Sequence, residues 1–561
     1  MRVTQRREGA KGFVMNLKCH AHLNPQPLRL CAFACCLSLC AVVHAGEPLA
    51  NRIDALILAP AKQPASPVAD DAEFLRRVTL DLAGRIPTAD EVRKFLADTA
   101  PDKRVKFVDQ LLASPEYPRR MHDVFHVMLM ERLGEHEEWT KFLRSSFEKN
   151  KPWDQMVREM LSPNPDDEAT RGAALYWTKR LENYGQNPVD LPALTRDVGR
   201  MFLGKDFQCC QCHDHLLVNE YKQVHFQGLF AFVGNTFIRQ DVKFPAVGEK
   251  PVTKKVEFMS VFVKEKKETG PRLPGGEEVA IPEFPKGEEF AVAPNKKERF
   301  EGTPKFSPLK TLAEQLPRAD NGAFSKNIVN RLWFVLLGRG IVHPLDLHHV
   351  DNPPSHPELL DLLASEFVAH QFDIKWLLRE IALSETYQRS SRLSAGVADL
   401  PLAETFLTAI EKPLSAEQVL ASVLQATGES DKFANAATDA NVAKELDTLR
   451  DRFRKAFANP PREPEGEYSP SVKGTLFLLN DATVLGWLTP RPGNLIDRQS
   501  KISEAPAVAD ELYLTVLSRL PSDEERAEVA AFLAKAPDQR PKILGQLAWA
   551  LLASTEFSVN H

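Results

Sequence analysis

Beyond Cys40 the chain has almost no cysteine. Cys19, Cys31, Cys35, Cys36 and Cys40 account for five of its eight, leaving Cys209, Cys210 and Cys212 for the rest of 561 residues. That excludes a disulfide-stapled scaffold, so stability has to come from a large apolar core. A basic excess is also missing. There are 71 Lys and Arg against 76 Asp and Glu, a net charge of -5, which gives no reason to expect nucleic acid as a partner. After the N-terminal region no apolar run approaches the ~20 residues that a membrane span needs. Glycine, at 27, is scarcer than proline, at 41, which argues against a Gly-rich sheet protein and for helices joined by rigid connections. No Gly-rich phosphate loop, G-x-S-x-G elbow or H-E-x-x-H is present, and the carboxylates form no diagnostic pair. With 43% apolar and 26% charged residues, the chain is nonetheless an ordinary globular sequence.

The N-terminus reads as an export signal. Arg and Lys are scattered up to Lys18, an apolar run follows from Leu28 to Val43, and Val43-His44-Ala45 is a small-residue cleavage site before Gly46. A membrane anchor is the competing reading, but the run is too short for one. The expected location is periplasmic or secreted, with no span left after cleavage.

The mature part reads as mainly α. Thr88 to Glu91, Ser355 to Glu358 and Ser522 to Glu525 have capping-box spacing. A helix is expected over 190–204, capped by Asp190 and stopped by Gly204, and another from Ser325 to Leu337. Asn327, Asn330 and Arg331 interrupt the latter and are read as structural pins. Arg85-Ile86-Pro87-Thr88 and Leu111 to Tyr117 find counterparts in Arg519-Leu520-Pro521-Ser522 and Leu551 to Phe557, which marks a repeated helical hairpin. Ile381 to Tyr387 is a third echo of the closing block. The expected organisation is a signal at 1–45, a helical domain at 46–245, a small β-rich insert at 246–306, a helical domain at 307–457, a Pro-rich linker at 458–470 and a helical C-terminal part at 471–561.

One constellation carries chemistry. Cys209-Cys210-Gln211-Cys212-His213 contains C-x-x-C-H, whose two thiols can add to the vinyl groups of a haem while the imidazole becomes its axial ligand. In that reading Cys209, Cys212 and His213 hold a haem c. In a second reading, a metal-dependent enzyme, His213, His215 and Cys210 join Cys209 and Cys212 around zinc or copper. A third reading has no cofactor and makes the chain a non-catalytic binding or scaffold protein. His225 is the nearest candidate for a further ligand, followed by His122 and His126, with Met128, Met130 and Met201 behind them. Asp214 is either an orienting carboxylate or a turn residue, and His348-His349 with Asp351 reads as loop chemistry. Cys209, Cys212, His213 and His215 are expected to face one pocket, walled partly by the aromatic face Phe226, Leu229, Phe230 and Val233.

These residues resemble a pair of bacterial domains. Phe74-Leu75-Arg76-Arg77-Val78-Thr79-Leu80-Asp81-Leu82, Arg85 to Thr88, Cys209 to His215 and Leu229 to Phe232 resemble domain of unknown function 1549, a planctomycete cytochrome-type domain. Ile328 to Trp333, Gly338-Arg339-Gly340 and Asn352 to Leu360 resemble its usual partner, domain of unknown function 1553. Leu216 stands where the family usually has proline, and Cys210 where it has a small or polar residue. The resemblance implies an exported protein of unassigned activity, commonly encoded near sulfatases and polysaccharide-degrading enzymes, with those enzymes or a periplasmic redox partner as its expected associates. Mass analysis of exported material is expected to find Gly46 at the N-terminus. An intact leader on that material would overturn the cleavage assignment.

Overall fold

Most helix ends fall where the local signals put them. The structure is a computed structural model that describes residues 46–183, 188–393, 399–436, 438–463 and 472–561. The predicted signal, and most of the predicted linker, lie outside the described residues. From Glu47 onward the chain is one unit, mainly α with small two-stranded sheets. Thr88 and Glu91 close the expected capping box on helix Ala89–Ala97, at 3.1 and 2.7 Å. Ser522 and Glu525 do the same for Asp523–Lys535, at 3.2 and 2.7 Å. Asp190 caps helix Leu191–Leu203. Gly204 ends it with φ of 65°, where a Cβ would lie 2.7 Å from the His348 ring. The capping box expected at Ser355 does not form. The Ser355 hydroxyl donates to the Ile341 carbonyl instead, and helix Pro357–Ala369 begins one residue later, behind His356.

The repeated hairpin recurs atom by atom. Arg85 donates from Nη1 and Nη2 to Glu91, at 2.8 and 2.9 Å, and from Nε to Glu116 at 2.7 Å. Arg519 donates to Glu525 at 2.8 and 2.8 Å and to Glu556 at 2.6 Å through the same nitrogens. In each hairpin the pair is a fork of parallel charge-assisted bonds that fixes the start of one helix against the end of the next. The closing blocks match too. Ser114, Ser384 and Ser554 each return a 2.7 Å hydroxyl bond to the carbonyl three residues earlier.

Helix Asp71–Ala83 is the hub of the molecule. Arg76, Arg77 and Asp81 are almost fully buried on it. Arg76 Nη2 donates to the Phe557 carbonyl at 2.9 Å, and Arg77 Nη1 to the Tyr387 carbonyl at 2.5 Å. One guanidinium thus anchors the second closing block and its neighbour anchors the third. Asp81 accepts from Lys412 Nζ, at 2.7 and 2.9 Å, from the Tyr387 hydroxyl at 2.8 Å and from Asn560 Nδ2 at 2.9 Å. The apolar side chains of this helix serve two cores. Phe74, Leu75 and Val78 join a cluster drawn almost wholly from Leu49 to Leu407, while Leu80 joins one formed by Leu414 to Phe557.

The β-rich insert is three antiparallel hairpins. They pair β1 (Thr236–Ile238) with β2 (Val247–Glu249), β3 (Val256–Met259) with β4 (Lys266–Thr269), and β5 (Phe290–Val292) with β6 (Thr303–Pro304). They begin at Thr236, ten residues or so before the expected boundary, because Gly234 ends the preceding helix Gln223–Val233. At the far end β7 (Lys412–Pro413) pairs with β8 (Val559–Asn560), which closes the C-terminus onto the hub.

Asp81→Ala removes the partner of an ammonium whose side chain is only 15% exposed. Stranding such a charge costs about 3–5 kcal/mol, so the variant is expected to unfold at a markedly lower denaturant concentration. The double variant Asp81→Leu with Lys412→Met is expected to recover much of the loss. A single variant within about 1 kcal/mol of the parent, the scale of an exposed pair, would show that the hub charge is dispensable.

Candidate functional site

Three elements hold the cysteine segment. Helix Leu191–Leu203 precedes it, helix Gln223–Val233 follows it, and β3 runs beside it. Past Gly204 the chain pairs with residues 346–348, through Asp206 N to Asp346 O at 2.9 Å and His348 N to Gly204 O at 3.0 Å. Residues Cys209–Gln211 then form one 3₁₀ turn, with the amides of Cys212 and His213 both donating to the Cys209 carbonyl at 3.3 Å. Arg196 Nη1 donates to Gln211 Oε1 at 2.8 Å, and Gln227 Nε2 to the Gln211 carbonyl at 3.2 Å. Val261 N donates to the Cys212 carbonyl at 3.1 Å.

Cys210 decides which way the turn faces. It is fully buried within the first core, and burial pushes its thiol up to about 12, so it stays protonated and is a poor metal ligand. In a turn of three residues, burying the middle thiol sends its neighbours outward. Cys209 and Cys212 are exposed free thiols.

The histidines separate by tautomer. His213 Nδ1 lies 2.6 Å from the Asp214 carbonyl. A carbonyl only accepts, so Nδ1 carries the hydrogen and Nε2 keeps its lone pair, the arrangement a ligating imidazole requires. His215 is the reverse. Its Nδ1 accepts from the amides of Leu217 and Val218, at 3.2 and 2.8 Å, which puts the hydrogen on Nε2. His225 Nδ1 likewise accepts, from Lys222 N at 3.4 Å. His122 and His126 stack on each other with ring centroids 5.8 Å apart and belong to the packing of helix Glu116–Met130. There His122 donates to Asp123 Oδ1 at 3.0 Å, and His126 accepts from Trp139 Nε1 at 3.0 Å. Asp214 is a turn residue whose Oδ1 accepts the Gln223 amide at 2.8 Å. Asn327 and Asn330 are the expected pins, donating to the carbonyls of Met201 and Val342 at 2.7 and 2.8 Å.

The expected shared pocket is not formed. Phe226, Leu229 and Val233 are buried in the first core against helix Leu191–Leu203. That helix offered an apolar stripe closer than any cofactor. Among the described residues no three His, Cys, Asp or Glu side chains gather around an ion-sized point. An open apolar apron surrounds the segment instead. Leu216 and Leu217 are 73% and 85% exposed, Val261, Phe262 and Val263 are 57–65% exposed, and the Phe262 ring packs 4.8 Å from that of His213. Sequence reading missed the apron. β3 stops at Met259 and leaves the hairpin tip, with Val261, Phe262 and Val263, in solvent.

Two cavities lie nearby. One, of about 300 Å³, is bordered by Arg180, Arg196, Asp197, Arg200, Asp206 and Gln208, so it adjoins the turn. The other is a cleft of about 750 Å³ that draws on Asp81, Asp123, Met128, Met201, Arg331, Asp346, Lys412 and Glu417. Its charges are largely spent on neighbours. Arg331 pairs with Asp346, Glu417 with Arg132 at 2.9 Å, and Asp81 with Lys412. Burial pushes the Asp123 carboxyl up, but the His122 hydrogen bond together with the charges of His122, Arg450 and Arg120 outweighs it and holds the group below the usual carboxylate range.

Residues 52–237 match the family model PSCyt2, described as a protein of unknown function (DUF1549), and residues 310–533 match PSD1, a protein of unknown function (DUF1553). The chain pairs a PSCyt2 domain with a PSD1 domain. No curated protein and no solved structure matches it. The cysteine turn thus lies in the PSCyt2 domain, and the 346–348 segment that braces it belongs to the PSD1 domain.

Burial pushes His126 down to about 4. A histidine buried neutral favours folding above its unfolded value near 6.5 and loses that contribution as pH falls toward 4. Folding stability is therefore expected to drop from pH 7 to pH 4.5, by up to roughly 1.4 kcal/mol per pH unit from this group. His126→Gln is expected to flatten the slope in denaturation curves taken across that range, and an unchanged slope would assign the acid sensitivity elsewhere.

Proposed function

We propose that the PSCyt2 domain holds a c-type haem at Cys209, Cys212 and His213, and that the protein is an exported electron carrier. The observation that carries this reading is the pairing of two outward thiols on one turn with an imidazole whose Nε2 lone pair is unengaged. A zinc or copper site would need its donors to converge on one ion, whereas thioether attachment needs them spread around a ring. The apron supplies the apolar contact that a porphyrin face wants. Exposed apolar groups gathered in one place mark a surface meant to be covered.

Bound there, the group would supply one-electron transfer between ferric and ferrous iron. The chain's own residues do the rest. Cys209 and Cys212 would hold the group by adding each thiol across one vinyl group, sulfur to one carbon and hydrogen to the other, so attachment would consume no oxidant. The Asp214 carbonyl holds the His213 ring in the ligating tautomer. Leu216, Leu217 and Phe262 exclude water from one side. The open setting suits electron exchange with a periplasmic redox partner, in keeping with a role beside polysaccharide-degrading enzymes.

Protein produced with a haem-maturation system is expected to keep haem absorbance through denaturing electrophoresis. Cys209→Ser with Cys212→Ser should abolish that signal, and Cys210→Ser should keep it. A parent protein that retains no haem would overturn the proposal and favour the scaffold reading, with the apron as a protein-docking surface.

A further inference from the structure

We infer that the tip of the β3–β4 hairpin, with the adjoining loop at Leu216 and Leu217, docks on an anionic lipid bilayer. The inference does not depend on the haem reading. β3 and β4 pair from Val256 with Thr269 to Met259 with Lys266, so residues 260–265 form a tip beyond the ladder. Its apex is Val261-Phe262-Val263, and Met259 stands at its base; all four side chains are exposed. The exposed pair Leu216 and Leu217 belongs to a second loop at the same place. The two segments meet where Val261 N donates to the Cys212 carbonyl at 3.1 Å and the Phe262 ring packs on that of His213.

The charge around this apolar apex has one sign in excess. Residues 254–268 carry five lysines against three glutamates, in a chain whose net charge is -5. Lys255 pairs with Glu278 at 2.7 Å and Lys267 with Glu265 at 3.5 Å, while among the described residues Lys254, Lys264 and Lys266 form no ion pair. All three are exposed. The carboxylates of the second loop are answered locally, Asp214 by Lys222 at 3.7 Å and Glu220 by Lys205 at 3.8 Å. An apolar apex with lysines on its shoulders matches the layers of a bilayer surface. The aliphatic and aromatic groups reach the acyl boundary, and the ammonium groups stay at the depth of the phosphates.

The tip is also held in place before it meets anything. Gln223 Nε2 donates to the Met259 carbonyl at 3.3 Å, and Phe262 N donates to Ser260 Oγ at 3.2 Å. In the second loop Val218 and Tyr221 are buried, and the amides of Leu217 and Val218 donate to His215 Nδ1. Each loop is therefore anchored by its flanks while its apolar residues stay in water. Little ordering remains to be done on contact, which favours binding. Two projecting loops suit insertion into a fluid surface, whereas a helix or peptide partner is taken by a groove.

The test uses the chain from Gly46 onward, so that the apolar run from Leu28 to Val43 cannot itself insert. Sedimentation with vesicles of phosphatidylcholine and phosphatidylglycerol is expected to carry the protein down, less so at high salt, and phosphatidylcholine vesicles alone should carry down little. Val261→Ser with Val263→Ser should weaken binding by at least about tenfold. Lys264→Gln with Lys266→Gln should weaken it by about twentyfold, a lysine near such a surface being worth roughly fivefold. Unchanged melting curves for both pairs would separate binding from folding. Cys209→Ser with Cys212→Ser, which cannot attach haem, should bind as the parent does, so failure of the haem reading leaves this result standing. No sedimentation with the anionic vesicles, equal sedimentation with neutral ones, or full binding by the valine variant overturns the inference. A dimer formed without vesicles and lost in the valine variant also overturns it, and assigns the face to a second copy of the chain.

Discussion

Arg76, Arg77 and Asp81, three charged side chains of one buried helix, tie both ends of the folded chain to its middle. None could sit there alone, because an unpaired charge in an apolar interior is prohibitively costly. Each is answered by groups hundreds of residues away: the Phe557 and Tyr387 carbonyls, Lys412 and Asn560. The ammonium of Lys412 also donates to the carbonyls of Val335 and Leu336, at 3.0 and 2.7 Å, which satisfies the end of helix Gly322–Leu337. Burial pushes this lysine down and Asp81 pushes it back up. The PSCyt2 and PSD1 domains meet over these bonds, and the apolar residues of the same helix feed both cores.

The hub also explains the repeated hairpins. Two of the closing blocks lead through their serine into a single helical turn, Thr555–Ser558 and Glu385–Gln388, and Arg76 and Arg77 take carbonyls of those turns, Phe557 and Tyr387. The Arg85 and Arg519 clamps hold the corresponding hairpins rigid by the same five-donor geometry. Lysine could not replace either arginine, since a single ammonium cannot fork to two carboxylates in one plane.

At the cysteine segment one buried thiol governs the chemistry available to the others. Cys210 fills the core, so Cys209 and Cys212 are displaced to the surface, and the next residue, His213, rests against Phe262 of the insert. The departure at Leu216 fits the same picture. With Leu217 it adds to the apron, and the turn there is held by amides donating to His215 Nδ1. Bracing from residues 346–348 makes the PSD1 domain part of the support for a cysteine turn that lies in PSCyt2.

What the sequence determined by itself was everything held by short-range bonds. The caps at Thr88, Asp190 and Ser522, the stop at Gly204, the hairpin repeat and the mainly α class all follow from interactions between near neighbours in the chain, so their signals are written locally. The C-x-x-C-H spacing belongs to the same class. Tertiary structure decided the rest. Which thiol turns inward depends on the core awaiting Cys210. The aromatic face of helix Gln223–Val233 was readable as apolar, but not as packed on helix Leu191–Leu203, because periodicity shows that a face is buried and never against what. The cleft gathers residues from Asp81 to Asn560, and no motif can announce a surface whose parts lie that far apart along the chain.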